Sequence, residues 1–229
     1  MPSEMNFTSY DNRKRLALGR LHLAVPIGNK LIRYAYIRKN GCSAFKHALG
    51  YEPDTKIAEI WPDHKCSPLD RFDATIFVWR DPGERLLSLY RNKIIDGTNG
   101  EELRDRFHRF ARGRPLDFEL FTEFAARNPD PHCYSQFSHL KPLRYTHAIP
   151  LRRLYFAMVE LVGAEAAEPF HTPVNTSTPA PVEITDRARA NIRRHYAADY
   201  RLIARLSAAA DEGRSGWPQS RSSISIAPS

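Results

Sequence analysis

An apolar run, Ala74-Thr75-Ile76-Phe77-Val78-Trp79, stands out near the first third of the chain. It lacks alternation, as a strand covered on both faces should, and predicts a central strand. Residues 31–37, Leu31-Ile32-Arg33-Tyr34-Ala35-Tyr36-Ile37, are rich in β-formers and flanked by polar residues, and predict another. Residues 56–60 and 146–149 complete the predicted strands. Helical patterns fill the spaces between them. In residues 43–49, Ser43 can cap, Phe45, Ala48 and Leu49 form an apolar face, and Gly50 can end the helix. Asp81-Pro82-Gly83-Glu84 joins an acidic N-cap, a proline at the first helical position and a glutamate three residues after the cap. The helix it starts is predicted to run to residue 94, with Leu87, Tyr90 and Ile94 along one side and Arg85, Ser88 and Asn92 along a polar one. Further helices are predicted over residues 101–111, 117–127, 154–162 and 185–209. Strands alternating with helices predict an α/β fold with a parallel sheet flanked by helices.

The two ends read differently. Residues 1–23 are polar and basic and read as a solvated lead-in, although Arg13-Lys14-Arg15 is also suited to touching anionic lipid. From Asp211 the chain turns to Ser, Gly, Pro and Arg, which predicts a disordered tail over residues 211–229. One domain, residues 24–210, lies between. Of the 229 residues, 42% are hydrophobic and 11% aromatic, which excludes a disordered chain. No apolar run approaches the ~20 residues that span a bilayer, so an integral membrane segment is not expected. Residues 1–11 lack the basic-then-apolar order of a signal peptide. Three cysteines, Cys42, Cys66 and Cys133, with no C-x-x-C pair, indicate neither a disulfide framework nor a zinc site. A reducing, cytoplasmic setting follows.

Charge adds a partner class. Lys and Arg number 34 and Asp and Glu 26, a net charge of +8. That surplus suits a polyanion: nucleic acid, anionic lipid or a phosphorylated small molecule. Two strand-to-helix junctions bear on the choice. In Arg38-Lys39-Asn40-Gly41-Cys42-Ser43, a strand ends, Gly41 lets the backbone approach a ligand, Ser43 offers a hydroxyl and Lys39 a mobile positive charge. The segment is not a Walker A loop. In the second junction Arg80 leaves the buried strand, and Ser88 follows two turns into the next helix. If Arg80 folds back, a guanidinium and a hydroxyl can grip one phosphate.

These two segments resemble the K-x-G-C-S/T-x-W-K and R-D-P-F-E-R-L-x-S-A-Y-R-x-K motifs of carbohydrate sulfotransferases, especially the chondroitin/dermatan 4-O type. Lys39, Gly41, Cys42, Ser43 and Lys46 match the first. Arg80, Asp81, Pro82, Glu84, Arg85, Ser88, Tyr90, Arg91 and Lys93 match the second. Phe45, Gly83 and Leu89 depart from the pattern. Asp130-Pro131-His132-Cys133 and residues 170–177 resemble later family elements. The resemblance implies a P-loop-NTPase-like parallel sheet and 3′-phosphoadenosine 5′-phosphosulfate (PAPS) as co-substrate, with no metal. It places the 5′-phosphosulfate on Arg38, Lys39, Asn40, Gly41, Cys42 and Ser43, and the 3′-phosphate on Arg80 and Ser88. The acceptor would be a hydroxyl of a carbohydrate or glycoconjugate.

In-line sulfuryl transfer needs alignment, charge stabilisation on the leaving phosphate and a base for the acceptor proton. Lys39 is the candidate for the charge. Glu59, His64 and His132 stand as three candidates for the base. Two other functions compete: a P-loop-type nucleotide-dependent kinase, and a non-catalytic polyanion-binding module. The first lacks a Walker lysine and a metal-binding acid. The second, nucleic-acid binding included, needs a basic stripe with exposed aromatics, whereas Lys39 and Arg80 fall at strand ends, where an α/β fold places a cofactor.

Overall fold

The computed structural model describes residues 8–128, 130–172 and 181–215, the last five by backbone only. A short strand, β1 (Tyr10–Asp11), precedes a hairpin of β2 (His22–Ile27) and β3 (Lys30–Ala35). Helices α1 (Cys42–Ala48) and α2 (Ile57–His64) lead to β4 (Ala74–Trp79). Then come α3 (Pro82–Tyr90), a π-helical turn at Arg91–Ile95, α4 (Glu101–Ala111) and α5 (Phe118–Arg127). Strands β5 (Arg144–Tyr145) and β6 (His147–Pro150), then α6 (Leu154–Val162), α7 (Asp186–His195) and α8 (Ala197–Ser215), complete the described chain.

The main sheet has the order β2-β3-β4-β6. Strands β3, β4 and β6 are parallel, while β2 is antiparallel to β3. The fold is therefore α/β, but its sheet is mixed rather than wholly parallel. Strand β2 occupies chain that reads as the end of the lead-in and the start of the body. Its Pro26 is tolerated because β2 is an edge strand and Pro26 is exposed. Gly28, at φ 58°, and Asn29 make the two-residue turn into β3.

Residues 56–60 are not a strand. They open α2, where Ile57 and Ile60, three apart, face the core while Ala58 and Glu59 are exposed. The lead-in is not free in solvent either. Strand β1 pairs with β5, Tyr10 packs edge-on against Phe77 at 6.0 Å, and the Thr8 carbonyl accepts the Ala148 N–H at 2.9 Å. At the other end, α7 and α8 break at Tyr196, and helix continues to Ser215. Residues 216–229 of the expected tail lie outside the described residues.

Alternation now explains the layers. Ile32 and Tyr34 of β3 and Ala74, Ile76 and Val78 of β4 face one side, with Phe45 of α1 and Leu154, Ala157 and Met158 of α6. Tyr34 stacks on Phe45 with centroids 3.7 Å apart. Ala35, Phe77 and Ala148 face the other side, against Tyr145 and Leu202 and Leu206 of α8. A second body of helices, α3, α4, α5 and α7, packs around Leu89, Phe107, Phe121 and Phe124. Among the described residues, no helix is long and apolar enough to cross a membrane.

Candidate functional site

A cleft of about 2020 Å³ opens beyond the carboxyl ends of β3, β4 and β6, bounded by the helical body. Ligands of open α/β sheets bind at these strand ends. Its walls include Arg38, Lys39, Gly41, Cys42 and Ser43 from the first junction and Arg80, Ser88, Asn92 and Lys93 from the second. The structure thus brings both junctions to one cavity.

The first turn is held in an unusual backbone form. Lys39 and Gly41 have φ of 66° and 77°. A Cβ on Gly41 would also lie 2.8 Å from Leu151 Cδ1 and 3.0 Å from Leu154 Cδ2, so glycine meets a conformational and a steric demand together. Lys39 Nζ donates to Asn92 Oδ1 at 3.1 Å. Burial pushes its pKa down to about 8, and the charges of Lys93 and Arg80 push the same way. Lys46 does not offer a free charge. Its Nζ donates to the carbonyls of Pro53 (3.0 Å) and Thr55 (2.6 Å), tying down the adjoining wall. Lys93 Nζ likewise donates to the carbonyls of Thr98 and Asn99.

Asn40 is placed differently from the ligand contact expected of it. It is fully buried and outside the cleft wall. Its Nδ2 donates to the Val78 carbonyl (2.8 Å) and to Gln136 Oε1 (2.5 Å). Gln136 Oε1 also accepts the Arg80 N–H (3.0 Å), and Gln136 Nε2 donates to the Arg80 carbonyl (2.8 Å). Asp199, fully buried on α8, accepts the Gln136 and Phe137 backbone N–H groups at 2.9 and 2.8 Å. Burial pushes the Asp199 carboxyl pKa up, against the pull of those bonds. Asn40, Gln136 and Asp199 therefore brace the two strand-to-helix turns against each other.

Arg80 Nε donates to Glu84 Oε2 at 3.3 Å, an exposed pair one helical turn long. Such a bond is weak, so the guanidinium can leave Glu84 for a ligand. Ser88 is half-buried in the cleft wall. Arg85 is not on a polar face at all. It is 2% exposed, and it donates to the carbonyls of Arg38 (3.0 Å), Tyr134 (2.8 Å) and His132 (3.1 Å). It clamps the first turn to the loop that carries His132.

The three base candidates separate. His132 lines the cleft, and its Nδ1 lies 2.7 Å from Asp130 Oδ1. Asp130 also accepts the His132 N–H at 2.8 Å and pairs with Arg106 at 3.4 Å. Burial pushes the His132 pKa down, opposed by the Asp130 bond and assisted by Arg38 and Lys93. With Nδ1–H donated to Asp130, Nε2 is the acceptor. Glu59 also lines the cleft, but on the exposed first turn of α2 rather than at a strand end. His64 is not in the cleft wall. Its Nδ1 is 3.2 Å from the Ala24 carbonyl, and its ring packs on Tyr51 at 5.8 Å.

Gln136, Asp199 and the carboxylate of Asp130 are the residues that sequence reasoning missed. Only Asp130 left a local signal, an Asp-x-His spacing. Of the late segment, Phe170, His171 and Thr172 line the cleft, with the His171 ring tilted against Tyr155 at 4.7 Å, and residues 173–177 lie outside the described residues. Among the described residues, no group of three or more His, Cys, Asp or Glu is placed to hold a metal ion. No family model, curated protein or solved structure matches the chain.

Proposed function

We propose that the protein is a sulfotransferase that moves a sulfuryl group from PAPS to a hydroxyl of a carbohydrate or glycoconjugate, on a P-loop-NTPase-like core. The observation that carries this reading is a single cleft at the parallel strand ends that holds both cationic turns and an Asp-supported histidine. The turns supply cationic and hydroxyl groups for a nucleotide with two separate anionic ends. The Asp130–His132 pair gives the same cleft a neutral imidazole, which a non-catalytic polyanion binder would not need.

Within this reading the roles divide by position. Arg80 and Ser88 grip the 3′-phosphate by charge-assisted hydrogen bonds. Gly41 allows the backbone near the 5′-phosphosulfate, and Ser43 adds a hydroxyl. His132 Nε2 takes the acceptor proton as the acceptor oxygen bonds to sulfur. The bond from sulfur to the 5′-phosphate oxygen breaks, and its electron pair stays on that oxygen. Lys39 meets the negative charge that grows there. Asp130 holds the imidazole in its productive tautomer and stabilises the imidazolium that forms. Arg85 and the Asn40–Gln136–Asp199 brace position these groups without touching the substrate.

The test is transfer of sulfur-35 from labelled PAPS to a panel of neutral and uronic-acid polysaccharides, with His132→Ala in parallel. Label on a glycan that depends on His132 is the expected result. Label transfer of equal rate in His132→Ala would remove the histidine from the mechanism, and transfer to no hydroxylated acceptor would remove the carbohydrate reading.

A further inference from the structure

A second feature lies away from the cleft, in the loop between β1 and β2. Leu16 is 99% exposed and Leu18 86%. A leucine left almost wholly in water loses the stabilisation its burial would give, and two of them with only Ala17 between form a small apolar tip. Their surroundings are basic. Arg13, Lys14 and Arg20 are exposed in the same loop, and Arg144 is exposed on the strand paired with β1. In residues 8–21 the only acid is Asp11, which is taken up by Arg13 at 2.6 Å.

The loop is fastened on both sides of the tip. On one side Asn12 Nδ2 donates to the Lys141 carbonyl (2.8 Å), and the Asn12 N–H donates to the Leu143 carbonyl (3.0 Å). Arg15 donates to the carbonyls of Leu140 (3.0 Å) and Phe137, and its guanidinium lies 4.3 Å over the Phe137 ring. On the other side the Arg20 N–H donates to the His139 carbonyl (3.0 Å), and its guanidinium lies 3.7 Å over Tyr134. Gly19, at φ 68°, passes so close to Leu140 that a Cβ would sit 2.6 Å from its carbonyl oxygen. The leucines therefore stand out from an anchored base, and little ordering is required when they bind.

We propose that this loop is a membrane-docking element, with Leu16 and Leu18 entering the interface of a bilayer and the surrounding basic residues facing anionic headgroups. The charge complementarity selects this occupant. Basic residues near an anionic leaflet each add to the attraction, and one buried leucine side chain adds roughly tenfold or more to partition. The element gives reversible peripheral attachment and does not depend on what the cleft binds.

Flotation of the full chain with phosphatidylcholine vesicles, with and without 30% phosphatidylglycerol, tests it. The wild type is expected to float with the anionic vesicles and not with the neutral ones. Leu16→Asp/Leu18→Asp should lower binding at least about tenfold, with an unchanged melting temperature because neither side chain is packed. Leu18→Trp supplies an independent reading: the emission of the introduced indole should shift to the blue on anionic vesicles. Absence of binding, binding indifferent to the leucine changes, or an emission that stays unshifted in the Leu18→Trp variant would each overturn the proposal. Equal binding to neutral vesicles would overturn the charge argument. Self-association that the Asp substitutions abolish would assign the tip to a second copy of the chain instead.

Discussion

Binding of a polyanionic nucleotide should draw a proton onto Lys39, by an amount that rises with pH. In the free protein burial holds the lysine at about 8. Phosphate oxygens beside Nζ favour the charged form. If the bound value returns to that of an ordinary lysine, uptake equals the fraction neutral beforehand: about 0.1, 0.5 and 0.9 protons per nucleotide at pH 7, 8 and 9. Linkage then makes apparent affinity fall about tenfold between pH 7 and 9. Titration of 3′-phosphoadenosine 5′-phosphate by calorimetry, in buffers of different ionisation enthalpy, reads the proton count directly. The phosphate groups are already ionised there, since their second pKa is about 6. His132, whose pKa lies below the usual histidine value, contributes in the opposite sense, with uptake that shrinks as pH rises. Lys39→Met should abolish the rising component. It should also stabilise the free protein at pH 7. A lysine whose folded pKa lies below its unfolded value costs stability while it is charged. The cost is full below about pH 8 and vanishes above pH 10.5. Proton uptake that is flat with pH, or unchanged in Lys39→Met, would refute the placement of Lys39 against the ligand.

Three further outcomes follow from the geometry. Arg80→Ala should weaken 3′-phosphoadenosine 5′-phosphate at least about tenfold, while leaving adenosine 5′-phosphate nearly unchanged, with Ser88→Ala a weaker version; competition binding checks both, and equal losses for the two nucleotides would contradict the assignment. His132→Ala should lower kcat by roughly 10²–10⁴, and Asp130→Asn should follow it in part, whereas His64→Ala should leave kcat unaltered; single-turnover transfer separates these from binding losses. Arg85→Met strands three backbone carbonyls and should cost about 3 kcal/mol, a fall in Tm of roughly 6–12 °C by calorimetry.

The parts of the fold legible in the chain are those set by local chemistry. The apolar run of β4, the Asp81-Pro82 helix start and the periodic helices α4 and α6 stand within a residue of their expected places. The Asp81 side chain accepts the Glu84 N–H at 2.9 Å, as the cap pattern requires. Strand β2 is obscured by Pro26, which argues against a strand unless the edge position is known. Residues 56–60 are short enough to suit either period, and tertiary burial of Ile60 decides for helix. The cleft wall is legible where one segment holds its parts, as at Lys39, Gly41, Cys42 and Ser43. The brace is not, because Asn40, Gln136 and Asp199 are joined across 96 and 63 residues. Helical side alone assigns Arg85 to a polar face, and nothing near it in the chain foretells three carbonyls converging on it.

On the proposed reading the cleft takes a nucleotide with phosphates at both the 3′ and 5′ positions. Equilibrium calorimetry with 3′-phosphoadenosine 5′-phosphate, ADP and ATP–magnesium at pH 7 tests it most directly. The 3′,5′-bisphosphate is expected to bind at least about tenfold tighter than ADP, since one charge-assisted contact is worth ~1.5–3 kcal/mol, and magnesium is expected to bring ATP no advantage. Equal affinity for ADP, or preferential binding of ATP–magnesium, would contradict it.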